Sequence, residues 1–153
     1  MAQRPESAAG RGSARSNRHT KPVISLELAR ALRAAGVDWT PAPGDRFVVP
    51  DRDMDEDVFV LSDMAIDIHE YASGKVIGFN GTTEWALDSI EQHSVVWLPR
   101  ETQLRNLLGQ HFQRLERSAD RYEVVAIVEG QPQGFGDADV ESAYARALLA
   151  VLP

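Results

Sequence analysis

The residues of this chain whose types suit recognition chemistry gather in Val76–Arg100, VIGFNGTTEWALDSIEQHSVVWLPR. Asn80, Thr82 and Glu84 offer hydrogen-bonding groups, Trp85 and Trp97 offer aromatic walls, and Arg100 offers a planar fork of donors that matches a carboxylate or phosphate. Convergent polar groups beside an aromatic wall suit a small ligand, and Trp and Arg are enriched where proteins grip partners. Each residue also has a local explanation. Asn80-Gly81 suits a left-handed turn, Thr82 or Thr83 a helix cap, and Glu84 the positive end of that helix. The tryptophans suit a core, and Arg100 an acidic neighbour. Beyond those local roles, Glu84, Arg100 and whichever tryptophan is exposed form the patch of interest.

Other constellations are weaker. Asp51, Asp53 and Asp55 match the opening of a calcium loop, but Glu56 stands where that loop needs glycine and Ser62 where it needs a bidentate Glu. They are weak metal candidates and read first as a solvated hairpin loop. His19, His69, His93 and His111 include no pair at the i, i+4 spacing of a helical zinc site. Gly74-Lys75 lacks the rest of a phosphate loop, and Gly134-Phe135-Gly136 lacks the third glycine of a dinucleotide fingerprint. With no cysteine there is no thiolate nucleophile and no disulfide. No cofactor and no catalytic residue is therefore expected.

The totals narrow the classes further. A chain of 153 residues fits one domain, and that size buries roughly 70% of the unfolded surface. Residues 1–21 hold five basic residues against Glu6, a balance of +4, so the remainder of this −7 chain carries −11. Such a domain repels phosphate backbones, which argues against nucleic acid as a partner. Apolar runs such as Val58–Leu61 and Val95–Leu98 fall far short of the roughly 20 residues that span a bilayer, so no membrane span is expected. A cytoplasmic location is the expectation that follows.

Positioning these residues requires a sheet and helices. Residues 1–22 read as a disordered basic tail, and 23–153 as a single α+β domain. Ser25 is placed to cap a helix, SLELARALRAAG, with Leu28, Ala29, Leu32 and Ala35 inward and Gly36 as its stop. Trp39 is expected as a plug over that helix. Arg46–Pro50, Val58–Ser62, Ala65–Tyr71 and Val76–Phe79 read as strands, the last two a hairpin through Ala72-Ser73-Gly74. A short helix is expected from Glu84 to about Ile90, then a strand Val95–Leu98. Pro99 suits the first position of a helix running Arg100–Leu108, with Leu104, Leu107 and Leu108 as its stripe. Residues 111–118 fit either a continued helix or a strand, and the hairpin Phe112–Ser118 with Tyr122–Val128 is the more economical. A strand near Phe135 precedes a final helix from about Asp139, with Val140, Tyr144, Ala147, Leu148 and Val151 on one face.

FNGTTEWALDS, VVWLPRETQLRNLL and the closing ESAYARALLAVL resemble a family of short actinobacterial proteins often labelled pilus assembly protein CpaE, over roughly Val23 to Leu152. That label implies a secretion-associated ATPase with a phosphate loop and a receiver-like domain; the chain carries no such loop and is too short for both.

The expectation is an α+β fold: an antiparallel sheet of two meanders, an N-terminal helix, two short central helices and a C-terminal covering helix. The function expected is a non-catalytic binding or adaptor domain for an unknown protein partner. The alternative is a small-ligand sensor or enzyme with a pocket around Asn80, Glu84 and Arg100.

Overall fold

In the computed structural model, which describes residues 23–50, 57–61, 66–72, 74–79 and 89–153, helix α1 (Leu26–Ala34) starts at a side-chain cap. Ser25 Oγ accepts a hydrogen bond from the Leu28 N–H at 3.3 Å. Glu27 in the first turn and Arg33 in the last complement the helix dipole. Leu28, Ala29 and Leu32 are buried, and Gly36 at φ +89° turns the chain away in a conformation other residues resist. The tail expected over 1–22 and the Asp51, Asp53 and Asp55 loop lie outside the described residues.

The described residues form three antiparallel three-stranded sheets. In the first, β1 (Arg46–Val48) is central, flanked by β2 (Phe59–Val60) and β6 (Val96–Leu98). Arg46, Phe47 and Val48 lie opposite Leu98, Trp97 and Val96. The second holds the expected hairpin, β3 (Ile66–Tyr71) paired with β4 (Gly74–Phe79), and adds β5 (Ser89–Glu91) beside β4. Ser89 and Ile90, expected at the end of a short helix, are therefore strand, and the rest of that expected helix, residues 84–88, lies outside the described residues. β-branched Ile90 pairs with Ile77 across the ladder, where it serves a strand better than a helix. The third sheet is β7 (Phe112–Arg117), β8 (Tyr122–Val128) and β9 (Gln131–Asp137), also a meander.

Residues 112–117 are thus strand, and the reason lies just upstream. Helix α2 (Glu101–Leu108) ends at Gly109, whose φ of +52° breaks the helical path before Phe112. Pro99 sits one residue outside the cap of α2 rather than at its first position. Arg100 is the cap, with its N–H donating to Gln103 Oε1 at 2.9 Å. Leu104 and Leu108 are buried, whereas Leu107 is exposed; eight residues of helix resting on one side bury a narrower stripe than three leucines suggest.

Helix α3 (Val140–Val151) is capped by Asp139, whose Oδ1 accepts from the Ser142 N–H at 2.7 Å. It packs against α1, α2, β8 and β9, so Glu141, Ser142 and Ala145 are buried along with Tyr144, Ala147 and Leu148 of the expected stripe, while Val140 and Val151 at its ends are half-buried. At the turn before it, burial opposes ionisation of Asp137. The Asp139 N–H at 3.0 Å and Arg146 Nε at 3.0 Å outweigh that burial and hold its pKa below the ordinary carboxylate value.

The first sheet separates two apolar clusters, and the period of two along its strands explains how. Val48, Val96 and Leu98 join α1, α2, α3 and β8 in the main core with Leu32, Leu104, Val124 and Leu148. Phe47 and Val95 point the other way, into a second cluster with Val49 and Leu61. Burial on both faces is why Val95–Leu98 reads as a continuous apolar run. Burying each such side chain is worth roughly 1.5–3 kcal/mol.

Tyr144 lies in the main core, 1% exposed and stacked on Phe112 with ring centroids 5.8 Å apart. Burial, reinforced by the Glu101 carboxylate, raises its pKa above the ordinary 10.0. The folded state therefore holds this proton more tightly than the unfolded chain. Its contribution to stability is complete below about pH 10 and is lost as pH rises through the folded value. Urea midpoints measured across alkaline pH are expected to fall above about pH 10, and Tyr144→Phe is expected to shallow that decline; parallel curves for both proteins would refute the assignment.

Candidate functional site

Of the expected site residues, Asn80, Thr82, Glu84 and Trp85 lie outside the described residues; Trp97 and Arg100 are placed. Trp97, on β6, does not stand alone. Its indole stacks on that of Trp39, with centroids 6.2 Å apart and planes 7° from parallel. Trp39, expected over α1, packs instead with the second apolar cluster and lies 6.3 Å from the Phe47 ring.

What orients Trp39 is Asp45, 1% exposed at the end of the turn Pro41-Ala42-Pro43-Gly44. Asp45 Oδ2 accepts from Trp39 Nε1–H at 2.9 Å and from the Ala42 N–H at 3.0 Å. Its other oxygen accepts from Gln103 Nε2 at 2.6 Å, with Arg100 Nη2 3.6 Å away. Arg100 is therefore engaged with an acidic neighbour. Its backbone and that neighbour both use Gln103, which links the start of α2 to the tryptophan turn.

The far end of Trp39 is held too. Its carbonyl accepts from Gln92 Nε2 at 2.6 Å, and Gln92 begins a short 3-10 turn, Gln92–Ser94. From α1, Arg33 fixes that turn in place: Nη2 donates to the His93 carbonyl at 2.7 Å and Nη1 to the Val95 carbonyl at 3.0 Å. Arg33 spends its donors on carbonyls, and among the described residues no carboxylate neutralises its charge.

Between these parts lies a cavity of about 500 Å³, within the range of small-molecule sites. Arg33, Trp39, Lys75, Gln92, His93 and Trp97 contribute to its wall, and Lys75 comes from the tip of the β3–β4 hairpin. His93 Nε2 lies 2.9 Å from Glu91, and Lys75 Nζ 3.6 Å from Glu70, both exposed pairs. Arg100 is not among the described residues that wall this space. Trp97 Nε1 and Gln92 Oε1 are buried from solvent and lack hydrogen-bond partners among the described residues. Each costs about 1–3 kcal/mol while it stays unpaired.

An aromatic pair and one unneutralised guanidinium equip this space to hold a planar, partly polar molecule. Among the described residues, no three His, Asp or Glu side chains gather as a metal site requires. Asp45, Gln92 and Arg33 had drawn no attention in the sequence. The available signal was Trp39 itself, a tryptophan beside a Pro-Ala-Pro-Gly-Asp turn whose aspartate sits within reach of its indole N–H. Comparison with protein-family models, with curated proteins and with solved structures finds no match.

Proposed function

We propose that this protein is a non-catalytic binding domain that seats a small ligand in the cavity between Trp39 and α1. The observation that carries this reading is the Trp39–Trp97 stack, held at the ring by Asp45 and at the carbonyl by Gln92. A wall fixed at both ends loses little conformational freedom when a ligand arrives, which favours affinity. The titratable wall groups are better suited to holding than to reacting, since His93 is paired with Glu91 and Lys75 with Glu70. Arg100, committed to Asp45, supports this seat indirectly by bracing the turn that carries Trp39. The sequence resemblance would place such a domain beside a pilus or secretion apparatus, as a part that binds rather than hydrolyses nucleotide.

The test is a screen of soluble bicyclic aromatic fragments, read by the indole N–H resonances in nitrogen–proton correlation spectra. Binders are expected to shift the Trp39 and Trp97 signals. Trp39→Ala, in protein shown to be folded by circular dichroism, is expected to weaken binding about tenfold or more. Fragments that bind without moving either indole, or that bind Trp39→Ala equally well, would overturn the reading.

A further inference from the structure

The charge around this cavity runs against that of the domain. Outside the first 21 residues the chain carries −11, yet the described wall holds Arg33, Lys75 and His93 against one acid, Asp38. With histidine counted neutral, the wall stands at +1. A neighbouring hollow of about 760 Å³ shares Arg33 and His93, adds Arg30, and has no acid among the described residues that line it. The hairpin tip joins the same patch, since a Cβ on Gly74 would fall 3.9 Å from His93 Nδ1. A positive concavity on a negative domain draws anions and repels cations.

Within the patch, neither Arg30 nor Arg33 meets a carboxylate among the described residues. Arg33 is both fixed and accessible. The His93 and Val95 carbonyls pin its two terminal nitrogens without cancelling its charge. Its side chain is nonetheless exposed, and so is the bond from Nη2, so the rest of the donor fork stays open to a ligand. The Val95 carbonyl also sets the reach to the aromatic wall. Val95 is extended and Trp97 lies two residues further along, so roughly 6.6 Å of chain separates them. A bicyclic ring bearing an acid group is long enough to cover that span.

Resting on the cavity reading above, we infer that the ligand is an aromatic carboxylate. Its ring lies against the Trp39–Trp97 pair, and its carboxylate accepts from Arg33. One carboxylate cancels the +1 of the wall, and its hydrogen bonds to a guanidinium are roughly twice as strong as neutral ones. Other classes fit less well. A neutral ring gains the aromatic contact alone, and an ammonium meets Arg33 with like charge. A dianionic phosphate overshoots the local balance and faces the −11 around it.

The experiment titrates the full chain with three naphthalenes of similar size: 2-naphthoate, 2-naphthamide and 2-naphthylmethylammonium. Affinities come from the indole N–H resonances of Trp39 and Trp97. 2-Naphthoate is expected to bind about tenfold tighter than the amide, with the ammonium weakest. That preference is expected to narrow as salt rises from about 20 mM to about 500 mM. Arg33→Met is expected to shrink it to less than about threefold. Because the preference is a ratio within one protein, any loosening of the Gln92–Ser94 turn in this variant weakens both probes alike. Equal binding of naphthoate and amide, or tightest binding of the ammonium, with the indole signals shifting, would refute the carboxylate and leave the cavity reading intact. A preference that survives unchanged in Arg33→Met would overturn Arg33 as its seat. No binding by any probe at millimolar concentration would remove both readings.

Discussion

Replacing Glu141 by alanine is expected to lower the unfolding free energy by about 3–5 kcal/mol, a large share of the roughly 5–15 kcal/mol that holds a domain together. Glu141 and Arg46 form an ion pair with side chains 10% and 12% exposed, and Arg46 Nη2 lies 2.7 Å from Oε1 and 2.8 Å from Oε2. The same carboxylate accepts from the Ile24 N–H at 3.1 Å and from the Glu101 N–H at 3.3 Å, at the positive end of α2. Alanine leaves a guanidinium buried without its counter-charge and two backbone donors without an acceptor. That penalty, more than any net gain from the pair, sets the size of the effect. Urea unfolding followed by circular dichroism measures it. Replacing both partners with apolar residues, Arg46→Met with Glu141→Leu, is expected to recover much of the loss. A single-mutant loss under about 1 kcal/mol would show that water reaches the site.

Asp45→Ala is expected to cost about 2–4 kcal/mol and to release the tryptophan stack. It strands the Trp39 and Ala42 N–H groups and the Gln103 amide around a position 1% exposed. The near-ultraviolet circular dichroism of the stacked indoles is expected to weaken at temperatures where the far-ultraviolet signal remains native. Binding of any bicyclic fragment that uses the cavity should fall about tenfold with it. Asp45→Asn should sit between the two, because its oxygen still serves Trp39 while its amide nitrogen faces the Gln103 donor. An intact near-ultraviolet signal in Asp45→Ala would mean that packing against Phe47 alone holds Trp39.

Both residues show where sequence reasoning stops. The elements were legible because each rests on local chemistry: Ser25 before an apolar period marks α1, and the spacing of Val140, Tyr144 and Leu148 marks α3. The strand at Phe112 was favoured for a local reason as well, the break at Gly109. The second apolar cluster was not legible, because it depends on the first sheet being buried on both faces. Trp39 and Trp97 meet only because Phe47 and Trp97 lie opposite each other in the ladder between β1 and β6. Glu141 is the acidic residue in the first turn of α3, and nothing near it in the chain announces Arg46 or Ile24. Arg100 was read with an acidic neighbour as one account, and Asp45 supplies that neighbour from a turn 55 residues earlier.

The hydrogen bond from the Ile24 backbone to Glu141 spans 117 residues, and α1 lies against α3. Synthesis runs from the other direction in time. Leu28 and Leu32 leave the ribosome long before the helix they pack against has been made, and they wait with their apolar side bare. The C-terminal meander and α3 are joined mainly to near neighbours in sequence, so most of their contacts are with chain made at about the same time. A chain cut short before α3 keeps β6 against α1 but leaves the α3-facing side of that helix bare, a surface open to chaperones and proteases.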